Sequence, residues 1–300
     1  MPTLLHEPGT DGLREIVDVL REWQDDEAPH QLHPGDVGWF WRSGARATAA
    51  ALRIWRRDGR ILAVGLLDTP DVLRLTLAPD ALRDAELAER LAEDVTLPER
   101  GVLGAGRAAV DSPDGALVGE VLADAGWKAD EPWTPLRRDL TEPVPDPGLR
   151  IEVTGPGRAA VRTAVHRAAF GRAAFTDERW RAMEAGAPYA DARCLVAYDG
   201  RGDAVAAVTV WSAGSGRPGL LEPLGVHPDH RGHGHGRAVT VAAAAALRDL
   251  GASSALVSTP SANEAAVATY RSAGFRALPE TRDQRRPAPG PATDGRTAGS

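Results

Sequence analysis

One stretch of this chain gathers most of its chemical possibilities: His227-Pro228-Asp229-His230-Arg231-Gly232-His233-Gly234-His235-Gly236-Arg237. Glycines at 232, 234 and 236 carry no Cβ, so the backbone can approach a ligand and turn its N–H groups toward one point. The Ala-rich run that follows reads as a helix, whose start adds unsatisfied donors and a partial positive charge. Together these make an anion site suited to a pyrophosphate. Arg231 and Arg237 can add charge-assisted hydrogen bonds. A P-loop would need Gly-Lys followed by Ser or Thr, which is absent. A dinucleotide fingerprint would need a third glycine where Arg237 stands. A weaker fingerprint, Gly104-x-Gly106-x-x-Ala109, runs into an apolar stretch and Pro113 instead of opening a helix. The pattern that fits is Arg-x-x-Gly-x-Gly at Arg231, Gly234 and Gly236. His230, His233 and His235 invite a metal reading. Loop histidines have no fixed face on which to converge, and no cysteine completes a tetrahedron, so no metal is expected.

The elements that must position this loop are legible around it. Leu149 to Val153 reads as a strand, and Arg158 to Phe170 and Asp177 to Glu184 as helices. Cys194 to Tyr198 and Ala204 to Trp211 read as consecutive strands about the turn at Asp199-Gly200-Arg201-Gly202-Asp203. A strand from Leu220 to Val226 leads into the loop, and the helix after it runs to Leu250, with Gly251 as its stop. Ser254 to Ser258 is a further strand, and Asn263 to Ala273 a helix closed by Gly274. Pro223 lies inside the strand before the loop. Proline donates nothing to a sheet ladder, so it marks an edge or a bulge there. Cys194, the single cysteine, reads as a small buried strand residue rather than a nucleophile.

The loop resembles the acetyl-CoA pyrophosphate loop of the GCN5-related N-acetyltransferase (GNAT) superfamily. Asn263-x-x-Ala266-x-x-x-Tyr270-x-x-x-Gly274-Phe275 resembles a second element of that family. The resemblance covers roughly residues 149 to 278. It implies an α/β (α+β) fold, a mixed and mostly antiparallel sheet flanked by helices, and acetyl transfer from acetyl-CoA to an amine by direct attack. It implies backbone contacts to the donor at Leu224, Gly225 and Val226, where the family's strand splays from its neighbour. Gly232, His233, Gly234, His235 and Gly236, with Arg231 and Arg237, would hold the pyrophosphate. Tyr270 would protonate the departing thiolate, since a phenol of pKa about 10 stays protonated at neutral pH; packing on the sheet is its other reading. Glu222 would be the base, directly or through water; an exposed strand carboxylate is the other reading. Asn263 would bond the donor or cap its helix.

The first half repeats this order more faintly. Ile54 to Trp55, Ile61 to Leu67 and Val72 to Leu77 read as strands, and Asp80 to Val95 as the next helix. Leu75-Thr-Leu-Ala-Pro79-Asp80 matches Leu224-Gly-Val-His-Pro228-Asp229, and Leu122-Ala-Asp-Ala-Gly126-Trp127-Lys-Ala matches Tyr270-Arg-Ser-Ala-Gly274-Phe275-Arg-Ala. Two anchors in register argue for a duplicated domain. Where the second half has its glycines, the first has Ala81-Leu82-Arg83-Asp84-Ala85-Glu86-Leu87, and Gly115 and Leu122 replace Asn263 and Tyr270. The expectation is two tandem GNAT-like domains, of the mycothiol synthase type in architecture. Residues 1–141 form a degenerate domain that shapes the acceptor cleft, 142–148 a linker, 149–280 the catalytic domain and 281–300 a disordered tail.

Composition bounds the partners. The chain has 300 residues, a 43% hydrophobic share and a formal net charge of -7. No run reaches the roughly 18 apolar residues of a membrane span, and no secretory signal opens the chain. A cytoplasmic protein is expected, with no global basic footprint for nucleic acid. The expected partner is a small-molecule amine, with monomer and homodimer both open. A peptide or protein amine, or acyl-CoA binding without chemistry, are the competing readings. The acidic balance would suit a basic protein partner.

Overall fold

A computed structural model describes residues 2–171 and 175–286. The first half runs β1 (Leu4–His6), α1 (Leu13–Glu22), α2 (Pro34–Phe40), α3 (Ala45–Ala51), β2 (Leu52–Arg57), β3 (Arg60–Thr69) and β4 (Val72–Leu77). It continues with α4 (Ala85–Thr96), β5 (Ala108–Asp111), α5 (Leu117–Asp124) and β6 (Lys128–Asp139). The second half runs β7 (Arg150–Val153), α6 (Ala159–Phe170), α7 (Asp177–Glu184), β8 (Ala192–Tyr198), β9 (Ala204–Trp211) and β10 (Gly219–Val226). Then come α8 (His235–Asp249), β11 (Ser254–Pro260), α9 (Glu264–Ser272), β12 (Arg276–Ala277) and β13 (Thr281–Arg286). Residues 140–149 between the halves carry no helix or strand.

Local sequence accounts for the main features. Leu13, Ile16, Val17 and Leu20 recur at helical spacing on α1 and are all buried. Asp58 and Gly59 both take positive φ, 51° and 79°, and make the tight hairpin between β2 and β3. The small side chains Ala238, Ala242, Ala243 and Ala244 are buried and let α8 lie close on the sheet. Gly251, at φ 82°, ends that helix, and the Ala252 N–H turns back to the Leu247 carbonyl at 3.0 Å. Among the described residues no helix is long and apolar enough to cross a membrane.

One mixed sheet runs through both halves, in the order β1-β2-β3-β4-β5-β13-β6-β11-β10-β9-β8-β7, with β12 beside β6. Most neighbours are antiparallel; β4–β5 and β10–β11 are parallel. The halves exchange strands at its centre. Strand β6 pairs with β13 from Lys128 to Trp133 and with β11 from Trp133 to Asp139. Strand β13, last in the sequence, returns to pair with β5 of the first half. The apolar cores also divide within β6. One core is built from Leu13 through Trp127, and a second gathers Leu136 and Leu140 with residues up to Phe275.

Two expectations need correction. Residues 281–286 are not part of a disordered tail. Thr281–Arg286 is a strand hydrogen-bonded on both sides, so it needs no apolar face of its own to be held. Arg286 adds bonds to the carbonyls of Val95, Thr96 and Gly106, as well as Gly104, so the rejected glycine fingerprint serves as an arginine cradle. Residues 287–300 lie outside those described. The helix expected from Asp80 to Val95 is broken. Pro79–Ala81 is a single 3₁₀ turn, and α4 starts afresh at Ala85 because Asp84 caps it, accepting from the Leu87 N–H at 2.8 Å.

Candidate functional site

Strand β10 stays paired to β9 out to Val226, with a register shift between Leu221 and Leu224. It pairs with β11 only at Gly219 and Leu220. Past Leu220 the two parallel strands part, where Pro223 could not have supplied a ladder donor. A cleft of about 1030 Å³ fills the gap. Leu221 to Val226 line one wall and Val257 to Pro260 the other. The expected backbone contacts Leu224, Gly225 and Val226 therefore face the gap together. Gly225 is required for packing: a Cβ there would lie 2.7 Å from the Ala169 side chain and 2.8 Å from the Phe170 ring. Helix α6 crosses β10 at this point.

The cleft runs into the glycine loop. Gly232 and Gly234 both adopt φ 80°, a region open to glycine at low cost. Gly234 is the N-cap of α8, and no side chain caps that helix. Its first-turn N–H groups thus lack a side-chain acceptor beside a cleft, the geometry that suits a bound phosphate. A Cβ on Gly236 would come within 3.1 Å of Thr269, which fixes α9 close to the loop. The Arg231 guanidinium bonds the Ala169 carbonyl at 3.1 Å and that of Arg237 bonds the Ser272 carbonyl at 3.0 Å, so both line the cleft while tied to flanking helices. The His233 and His235 rings stack at 5.8 Å between centroids. Burial, and then the neighbouring His233 and His230, lower the pKa of His235. Among the described residues no group of three or more His, Cys, Asp or Glu side chains is arranged to hold a metal.

Tyr270 and Glu222 face the same cleft. Burial, and secondarily the Glu222 charge, push the Tyr270 phenol up to about 12. It therefore keeps its proton at neutral pH and can donate it. Its ring also packs on Phe275, 6.0 Å between centroids, as the packing reading expects. Asn263 caps α9, its side-chain oxygen accepting from the Ala266 N–H at 3.2 Å, and it too lines the cleft. Cys194 is fully buried, with its Sγ 3.2 Å from the Thr209 hydroxyl, as a core residue.

Glu222 is not the exposed strand carboxylate that its sequence context allowed. It is half-buried, and its backbone carbonyl accepts from the Trp211 indole at 2.7 Å. Burial, and then the charge of Asp36, push its pKa well above the usual carboxylate range, against the pull of Arg74. Asp36 and Arg74 belong to the first half, as do His30, Asp68, Asp111 and Trp133, which line the far wall with Thr281 and Asp283 of β13. Burial and then the Asp111 charge raise Asp283 to about 7. Reading the sequence missed these residues. The only available signal was the repeat register, which sets Arg74 beside the Leu75 that matches Leu224.

Strands that part beside a glycine-rich helix start, with a protonated phenol and a carboxyl group between them, form one continuous site. Residues 158–275 match the acetyltransferase (GNAT) family. A mycothiol acetyltransferase from Thermobispora bispora is 33% identical over 156 residues, an alignment covering 47% of this chain and 52% of that protein. One from Cellulomonas flavigena is 32% identical over 147 residues, covering 43% and 41%. The chain thus matches about half the length of these relatives. Among solved structures, a tandem GNAT protein from the clavulanic acid biosynthesis pathway superposes with a TM-score of 0.62 at 16% identity, covering 97% of this chain and 99% of that one. A GCN5-related N-acetyltransferase from Sphaerobacter thermophilus gives 0.59 at 19% identity, covering 96% of each. At these identities the likeness is one of fold, and it spans both halves.

Proposed function

We propose that the chain transfers an acetyl group from acetyl-CoA to the primary amine of a small molecule, using one site in its second half. The observation that carries this reading is the parting of β10 and β11 directly into the uncapped start of α8. The pyrophosphate of the donor lies on the loop from Arg231 to Arg237. The pantetheine arm runs between the strands beside Leu224, Gly225 and Val226. Asn263 lies alongside it at the start of α9. The acceptor enters from the wall formed by the first half, where Asp68 and Asp111 favour a cationic amine over a neutral one. The names of the relatives also point to a small-molecule acceptor.

Ionised Glu222 takes one proton from the bound ammonium. The neutral nitrogen then attacks the thioester carbon; the C–N bond forms and the C–S bond breaks. The thiolate takes the Tyr270 proton, and the nitrogen sheds a second proton that restores the phenol. One proton leaves to solvent, returned by Glu222. General acid and base contributions of this kind are each worth about 10²–10⁴ in rate.

Titration of acetyl-CoA against the wild type and Gly234→Trp tests the donor site, with affinity expected to collapse in the variant. Equal affinity in the two removes the site assignment. Thiol release across a panel of amines tests catalysis. Tight donor binding with no turnover for any amine would mark a binding module instead, and turnover with peptide amines alone would mark a protein acetyltransferase.

A further inference from the structure

Helix α2 of the first half is seated on the strands that carry Glu222. Gly35 and Gly38 press against the Trp211 ring so closely that a Cβ would lie 2.6 Å and 2.4 Å from it. The His33 ring bonds the Pro218 carbonyl at 3.1 Å just before β10. Trp211 in turn holds the Glu222 carbonyl. This clamp sets the buried Asp36 side chain, through its ion pair with Arg74, beside the part of the cleft that Arg74 and Glu222 line together. A carboxylate charge near a second carboxyl group disfavours ionisation of that second group. Asp36 is the fixed partner: it accepts from the His33 N–H at 2.6 Å and pairs with Arg74 at 2.7 Å.

We propose that Asp36 and Arg74 are positioning residues for the acyl-transfer site. Through the Asp36–Glu222 pair and its Arg74 counter-ion, the first half governs when Glu222 is free to take a proton from the acceptor. This rests on the reading of Glu222 as the base. In the resting state burial and the nearby Asp36 charge favour the protonated form of Glu222. Activity requires that this proton leave to solvent. Removal of Asp36 lets Glu222 ionise at lower pH; removal of Arg74 holds the proton on it to higher pH. The remaining groups are accounted for. Asp68 on β3 adds a smaller repulsion, and Tyr270 on α9 stays neutral. His33 is held neutral, its pKa lowered to about 4 chiefly by burial. Burial also lowers His30, which feels Asp111 on β5, Arg74, Asp36 and Asp114. Asp283 on β13 faces Asp111 and Arg74. From β9 the neighbour is the neutral Trp211.

The experiment is the pH dependence of kcat/KM for one amine acceptor in four full-length proteins: wild type, Glu222→Gln, Asp36→Asn and Arg74→Gln. Thermal melts and acetyl-CoA titrations serve as folding controls. The acid limb is expected to move down by about one pH unit in Asp36→Asn and up by a similar amount in Arg74→Gln, the size of a single close charge. A structural role alone would lower activity at every pH and leave the limb where it is; an unmoved limb in both variants overturns the proposal. If Asp36→Asn does not fold, the direction of the Arg74→Gln shift decides. Glu222→Gln separates the two levels: an acid limb that persists unchanged in this variant rejects Glu222 as the base, whatever the other variants do.

Discussion

Helices α4 and α8 occupy the same place in the two halves, and they begin in opposite ways. Each follows a strand, a proline and a 3₁₀ turn, Pro79–Ala81 in one case and Pro228–His230 in the other. At α8 the N-cap is Gly234, and no side chain reaches the first-turn amides. At α4 the cap is Asp84, which takes the Leu87 N–H. Arg57 pairs with Asp84 at 2.7 Å and with Glu86 at 2.9 Å, and Glu86 also accepts from the Thr3 N–H at 2.8 Å. The first half has satisfied with its own carboxylates the donors that the second half leaves without a side-chain acceptor. The helix stops, by contrast, have stayed alike. Gly126 and Gly274 both take left-handed φ, 88° and 85°, and Trp127 and Phe275 each turn an N–H back by five residues at 3.0 and 3.1 Å. The comparison teaches that the two halves keep the same stops and strands and differ in what fills one helix start, which on the proposed function is where the donor binds.

The sharpest way to break the comparison is to copy the first half's arrangement onto the second. Gly234→Asp sets a carboxylate at the cap of α8, as Asp84 does at α4. Left-handed backbone strains any side chain at this position, aspartate less than most, so the melting temperature should fall by only a few degrees. Acetyl-CoA affinity should fall by about 100-fold, since a carboxylate would compete for the amides and repel the pyrophosphate. Calorimetric titration reads this directly. An affinity within about threefold of wild type would mean the helix start is not the donor site.

Tyr270→Phe is next in size. The first half has Leu122 at the matching place, so this change takes the second half one step toward it. Thiol release should fall by about 100-fold with acetyl-CoA affinity unchanged, because the ring still packs on Phe275 while the proton donor is gone. A drop in affinity of similar size would instead assign Tyr270 to binding.

How much of this was legible in the sequence follows from the same contrast. Elements with strong local signals were read almost to the residue: α7 and β9 as Asp177–Glu184 and Ala204–Trp211, and the loop by its glycines. Strand β13 was not legible, because Thr-Arg-Asp-Gln-Arg-Arg has no apolar alternation and is held by backbone pairing on both sides. The break at Asp84 was hidden because the cap acts inside an otherwise helical pattern. The far wall of the cleft was not legible at all. Arg74 and Asp111 on that wall, and Asp36 behind Arg74, are distant from Glu222 in sequence, and only the exchanged strands and the seating of α2 bring them near it.

The reverse change, Asp84→Ala, strips the first half's self-made cap. It should cost about 1 kcal/mol of stability at neutral pH and leave acetyl-CoA affinity unaltered. The pH dependence has a defined sign. The Arg57 hydrogen bond, opposed by slight burial, lowers Asp84 from 3.8 to about 2 in the folded state. Its contribution is therefore present above 3.8 and lost as pH falls toward about 2, so melts of wild type and variant should converge over that window. A difference that persists undiminished at the acid end would show that the carboxylate's charge is not what holds the helix start.

The smallest effect concerns the second cap. Asn263 caps α9 through a long 3.2 Å bond, whereas α5 in the first half starts at Ala116 with no side-chain cap and folds all the same. Asn263→Ala should therefore cost only about 0.5 kcal/mol, the low end of the range for a cap residue. Asn263→Ser should recover that stability, because serine caps as well as asparagine. The two variants together separate the cap from the donor contact. If capping is the whole role, the KM for acetyl-CoA follows stability and returns to the wild-type value in Asn263→Ser. If the side chain also bonds the donor, Asn263→Ser regains the melting temperature while KM stays raised by about threefold to tenfold, the worth of one polar hydrogen bond. The second outcome is the one expected for a residue at the mouth of the parted strands, where its counterpart Gly115 has no side chain to offer.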